Sequence, residues 1–144
     1  MCMSKLSKYT VSKGDVETLT SNAKTHRDAR LIEAMYWLGS RVSETVEMRK
    51  SQLKSRYDPP RVEFPDRKKD TQSSIPLTNK RLFKDLERLA EQGNTPYVFE
   101  SSRGRQAISR QHAHRIVKEV SQRCKIDPIP RKDHITPHTL RHSR

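Results

Sequence analysis

The chain is short of cysteine, of acidic residues and of long apolar runs. Two cysteines, Cys2 and Cys124, occur in 144 residues, too few for the paired framework that staples a small secreted domain. They read as a reduced thiol in a tail and a small core hydrophobe. There is no run of about 18 apolar residues and no signal-peptide h-region, so neither a spanning helix nor a secretory leader is expected. A cytoplasmic protein with no membrane partner is the expectation. Apolar residues make up 31% and charged residues 33% of the chain, so a modest core in one domain is all that the length allows. No internal repeat or low-complexity tract breaks it.

The shortage of acids leaves an excess of bases: 30 Lys+Arg against 17 Asp+Glu, a formal charge of +13 and a pI near 10.1. A domain this basic usually works against a polyanion, because each phosphate neutralised releases counterions, and nucleic acid is favoured over a merely soluble basic surface. The bases are scattered along the whole chain, and no amphipathic basic segment suits a membrane surface.

Along the chain, residues 1–11 read as a flexible basic tail and residues 12–144 as one domain. Ser12 with Asp15 makes a capping-box start for a short helix to about Asn22 that buries Val16 and Leu19. Leu31, Met35, Leu38, Val42 and Val46 recur at steps of three and four from Asp28 onward. Gly39 inside that pattern costs about 1 kcal/mol unless it ends one helix. Two helices meeting at Gly39-Ser40 are therefore predicted, with Ser40 capping the second and Arg41 and Glu44 in its first turn.

That helical region should close at Pro59-Pro60. Arg61 to Phe64 alternates with period two and can pair with Ser74 to Leu77 across a Lys-rich tip, with Pro76 at a strand end. A helix from Asn79 to Gln92 presents Leu82, Phe83, Leu86, Leu89 and Ala90, and Gly93 stops it. Arg103-Gly-Arg105 is a basic loop. Ser109 caps a helix burying Ile116, Val117, Val120 and Cys124. Thr136-Pro137 announces a last helix with eight residues after the cap, and isolated helices shorter than about 12–15 residues are marginal in water. The fold class is α+β, mainly helical, with a small antiparallel sheet.

In that last helix His138 and Arg141 are three apart and share a face. Singly, the candidate residues have ordinary explanations. Arg41 with Glu44 is an i,i+3 pair worth about 0.2–0.5 kcal/mol. Lys68 and Lys69 sit on a hairpin tip, where lysine is a common solubilising residue. His142 and Leu140 read as packing. A zinc site from His134, His138, His142 and Cys124 is disfavoured, because Pro137 separates His134 from the helix and no paired cysteines exist. No metal or cofactor is expected.

Taken together, the segments Gly39-Ser-Arg41-Val-Ser-Glu44, a hairpin lysine before Ile75-Pro-Leu77, and His138-Thr-Leu-Arg141-His142 resemble the catalytic domain of the tyrosine recombinases, the phage integrase family. The first matches the family's Gly-x-Arg-(Ile/Val)-Ser-Glu throughout and the third its His-x-Leu-Arg-His. The family's hairpin lysine falls on Lys68, with Lys69 as the alternative. Arg41 and Arg141 lie 100 positions apart, an interval that fits. The resemblance covers about Tyr9 to Arg144.

It implies duplex DNA as substrate and transesterification through a 3′-phosphotyrosine. Arg41 and Arg141 would clamp the phosphate and Lys68 would protonate the departing 5′ oxygen. His138 would assist proton transfer or donate to the phosphate. Glu44 would orient the arginine or histidine, and His142 would support. Two planar guanidinium forks suit a phosphorane reached without metal. Type IB topoisomerases share the chemistry, but the Gly-x-Arg-x-Ser-Glu form favours the integrases.

The family's nucleophilic tyrosine follows the third motif, whereas Tyr9, Tyr36, Tyr57 and Tyr97 all precede His138. The expectation is a C-terminally truncated catalytic domain, inactive alone, whose complement would be recombinase subunits or a Tyr-bearing segment. The alternative is a non-enzymatic basic DNA- or RNA-binding or regulatory protein.

Overall fold

Ser12 opens the fold through a reciprocal cap: its Oγ accepts the Asp15 N–H at 3.1 Å, and Asp15 Oδ2 accepts the Ser12 N–H at 3.0 Å. Two of the N–H groups left over at a helix start are thereby satisfied, and helix α1 runs Lys13–Ser21 with Val16 and Leu19 buried. This computed structural model describes residues 11–66, 71–102 and 106–124, together with 137, 140 and 141. The tail before Val11 and the Arg103-Gly-Arg105 loop lie outside those residues. Val11 itself, assigned to the tail, is buried in the core.

Helix α2, His26–Leu38, begins two residues before the expected Asp28, because Thr25 Oγ1 accepts the Asp28 N–H at 3.1 Å and caps it. Its apolar stripe, Leu31, Met35 and Leu38, is buried as predicted, and Ile32 and Ala34 widen it. Gly39 ends the helix at φ +61. Helix α3, Val42–Val46, follows with Arg41 as its N-cap. Ser40 does not cap it, because its hydroxyl is buried against Thr45 Oγ1 at 2.7 Å.

The region from Glu47 to Pro59, expected to be helical, leaves the helix. The main chain around Met48 pairs with a distant segment instead: Val98 N–H reaches Met48 O at 2.9 Å, and Lys50 N–H reaches Pro96 O at 2.9 Å. A 3-10 turn, Lys50–Gln52, leads into a two-residue strand β1, Leu53–Lys54. Strands β2, Arg61–Asp66, and β3, Thr71–Pro76, form the expected hairpin and are longer than predicted. The sheet is antiparallel in the order β1-β2-β3, with Val62 opposite both Leu53 and Ile75. Val62 and Phe64 point into the core between outward Arg61, Glu63 and Pro65, and Pro76 ends its strand.

Helix α4, Lys80–Gln92, is capped by Asn79 Oδ1 on the Leu82 N–H at 3.1 Å and buries Leu82, Phe83, Leu86 and Ala90. Helix α5, Arg110–Arg123, is capped by Ser109 and buries Ala113, Ile116, Val117 and Val120, with Cys124 buried just beyond it. All these side chains join one apolar cluster, to which Leu140 also belongs. Helix α2 packs on α1, α3, α4 and α5, so it is the central element.

A charged seam ties α2 to α4. Arg30 lies 2.7 Å from Glu33 and 2.8 Å from Asp85, and Arg81 bonds both Glu33 and Asp85. Partial burial pulls the Arg81 pKa down, but the Glu33 hydrogen bond and charge, then Asp85, raise it net above its ordinary value.

Candidate phosphate-binding site

The site is built on the three residues that link α2 to α3. Gly39, in the left-handed conformation, presents its carbonyl to Arg141, whose Nε donates at 2.9 Å. Pro137, Leu140 and Arg141 are helical, and the first two are buried. Leu140, at 0% exposure, anchors this turn in the core. Its neighbour Arg141, half-buried, is thereby held at the α2–α3 junction.

Next along the chain, Ser40 is buried and its hydroxyl meets Thr45 Oγ1 at 2.7 Å. Thr45 Oγ1 itself donates to the Arg41 carbonyl at 2.8 Å, so its single proton is used there and Ser40 is the donor of the pair. Arg41 O also accepts the Thr45 N–H at 2.9 Å. Glu44 Oε1 accepts the Arg41 N–H at 2.8 Å. The main chain of Arg41 is thus held on both sides while its side chain stands exposed at the start of α3.

Of the residues singled out from sequence, the fold brings Arg41, Glu44 and Arg141 to one junction. Glu44 acts there on the Arg41 main chain. Lys68 and Lys69, between the ends of β2 and β3, lie outside the described residues, as do His134, His138 and His142. Sequence reasoning missed the Gly39 carbonyl and the Ser40–Thr45 pair. The carbonyl is a backbone atom, which no residue type announces. Ser40 and Thr45 are small polar residues whose pairing across five positions follows no helical or strand period.

Helix α5 packs on α3 and exposes Arg110, Gln111, His114, Arg115, Lys118 and Glu119. A groove of about 600 Å³ lies elsewhere, lined by Glu47, Arg49, Gln52, Lys54, Glu63 and Tyr97 among others. Its cations are matched by carboxylates, with Lys54 3.5 Å from Glu63, so it has no net attraction for an anion. Among the described residues no group of three or more His, Cys, Asp or Glu could hold a metal ion. No helix among them is long and apolar enough to cross a membrane.

No curated protein matches the chain significantly. Solved structures do. XerA recombinase superposes with a TM-score of 0.73 at 19% identity, covering 92% of this chain and 47% of that one. The integrase from mycobacterium phage Brujita gives 0.66 at 20% identity, covering 93% and 42%. The lambda integrase catalytic core gives 0.66 at 17% identity, covering 93% of this chain and 79% of that one. The likeness is one of fold: a helical core with a small antiparallel sheet. The chain spans about half the length of XerA recombinase and somewhat less of the Brujita integrase. Residues 10–144 match the model of the phage integrase family, and the chain belongs to that family.

Proposed function

We propose that this chain binds duplex DNA and holds one phosphodiester between Arg41 and Arg141, as the phosphate-clamping part of a site-specific tyrosine recombinase. The observation that carries this reading is the Arg141–Gly39 hydrogen bond. It joins a guanidinium from the third motif to the residue two before Arg41, the arginine of the first. Two fixed guanidiniums can neutralise the charge that builds on a phosphorane, and removing one donor from such a preorganised site typically costs about 10²–10³ in rate.

In the complete reaction a tyrosine oxygen would attack phosphorus while the bond to the 5′ oxygen breaks. Lys68, or Lys69 if the hairpin register differs by one, would give the departing oxygen its proton. His138 would assist proton transfer or donate to the phosphate, and His142 would support the helix that carries it. No metal or cofactor enters. Recombinase subunits or a Tyr-bearing segment would complement residues 12–144, and the working location would be cytoplasmic, on DNA. The XerH and lambda integrase structures are bound to DNA sites, which supports duplex DNA as the substrate class. The order of the tyrosines favours a second reading for these 144 residues by themselves: DNA binding without cleavage.

The test is duplex binding by fluorescence anisotropy. Arg41→Ala and Arg141→Ala should each weaken binding about tenfold or more, because a hydrogen bond to a charged group is worth about 1.5–3 kcal/mol. Arg56→Ala, in the β1–β2 turn, serves as the control and should cost less than about twofold. Equal losses in all three would mean a diffuse basic surface and would refute the clamp.

A further inference from the structure

We infer that Gly39 is a positioning residue for the phosphate clamp, and that its left-handed conformation decides which edge of the Arg141 guanidinium meets a phosphate. This rests on the reading that Arg141 holds a phosphate oxygen.

Gly39 sits at φ +61 and ψ 25, a region that glycine enters readily, asparagine tolerably and other L-residues poorly. Space is not what selects glycine. A Cβ built on Gly39 would meet the Arg141 carbonyl oxygen at 3.9 Å, an ordinary van der Waals contact. What the position requires is the backbone angle, because that angle aims the Gly39 carbonyl at Arg141 Nε.

The consequence lies in guanidinium geometry. An arginine can chelate an oxyanion side-on, through Nε and one Nη, or end-on, through both Nη groups. Here the Nε–H is committed to Gly39, so the side-on fork is closed and the end-on fork is what remains for a phosphate. The same turn also sets Arg41. Ser40 is pinned through Thr45, and the Arg41 main chain is held by Thr45 and Glu44. One braced turn of three residues therefore holds both the Arg141 Nε–H and the main chain from which the Arg41 side chain leaves, and a change in the Gly39 angle disturbs the Arg141 end first.

The experiment is a double-mutant cycle on duplex binding, run well below the melting temperature of every variant. Gly39→Ala, which has room but disfavours the angle, should weaken binding about fivefold or more. Gly39→Asn, which tolerates the angle, should stay within about twofold of the parent. In the Arg141→Ala background Gly39→Ala should cost nothing further. The Arg141 Nε–H resonance should be protected from exchange in the parent and in Gly39→Asn, and exposed in Gly39→Ala. Additive losses of Gly39→Ala and Arg141→Ala, or an equal loss in Gly39→Asn, would overturn the inference while leaving the clamp intact. An Arg141→Ala variant that binds as tightly as the parent would overturn the clamp and this inference with it.

Discussion

Glu44 Oε1 accepts the main-chain N–H of Arg41 at 2.8 Å. The three-residue spacing that suggests a surface ion pair is half of a capping box, with the acid at N3 reaching back to the cap residue. A carboxylate used in this way leaves the guanidinium of Arg41 for an anion instead of competing for it. It also places negative charge at the start of α3, where a helix favours it.

Replacing Glu44 should therefore act through the turn. Glu44→Ala should destabilise the fold by about 0.5–2 kcal/mol, the range measured for lost helix caps. Glu44→Gln keeps an acceptor oxygen at the same reach and should restore most of that. The check is the thermal midpoint of the two variants beside their duplex affinity. If Glu44→Gln loses as much stability as Glu44→Ala, the carboxylate charge and not the cap is what matters.

Glu33 offers another stability test. Its side chain, 7% exposed, lies between the guanidiniums of Arg30 and Arg81 on the seam joining α2 to α4. Glu33→Ala removes a nearly buried carboxylate that pairs with both Arg30, 15% exposed, and Arg81, leaving Arg30 paired with Asp85. It should cost about 1.5–3 kcal/mol, the range for a hydrogen bond to a charged group. Arg81 is 56% exposed, so Arg81→Ala should cost only about 1 kcal/mol or less. Urea unfolding separates the two: the Glu33→Ala midpoint should fall far more, with an unchanged m-value. Similar midpoints would show that the seam is solvated and weak.

The local parts of this architecture were legible because they are local. Ser12, Asn79 and Ser109 announce helix starts by side-chain chemistry acting within three residues, and Gly39 and Gly93 announce ends. The apolar stripes of α2, α4 and α5 need only helical periodicity. What stayed hidden depends on distant partners. Strand β1 has two residues, Leu53 and Lys54, and exists because Val62 and Arg61 lie beside it. Helix α3 stops at Val46 because the Met48 main chain is taken by Val98. The candidate site divides in the same way. Arg41, Glu44 and Arg141 were found by motif order, whereas the Gly39 carbonyl that holds Arg141 lies 102 positions away from it and leaves no mark in a sequence pattern.

Salt dependence tests whether α5 belongs to the DNA-binding face. Helix α5 packs on α3, whose N-cap is Arg41, and it exposes Arg115 and Lys118 one turn apart. If both neutralise phosphates, Arg115→Ala and Lys118→Ala should each lower the slope of log affinity against log salt by about one, between roughly 50 and 200 mM salt. Arg56 lies in the turn between β1 and β2, on neither α3 nor α5. Arg56→Ala should leave the slope unchanged. An unchanged slope in the α5 variants would move the DNA path off this helix.

The order of the tyrosines gives the binding-only reading its own test. None of the four follows Arg141. Tyr36 is half-buried on α2, edge-on to Trp37 with ring centroids 5.7 Å apart. Tyr57 lies in the β1–β2 turn, with the Arg56 guanidinium 5.0 Å from its ring centre. Tyr97 packs under Arg49 at 5.0 Å and also accepts a hydrogen bond from it at 3.3 Å. Each of these three rings is engaged with a neighbouring side chain, and Tyr9 lies outside the described residues. Incubated with a nicked suicide duplex, the 144-residue polypeptide should bind DNA yet give no DNA-linked species on a denaturing gel. A covalent band that disappears on Tyr→Phe substitution at any of the four positions would show that the polypeptide supplies its own nucleophile, and would end the binding-only reading.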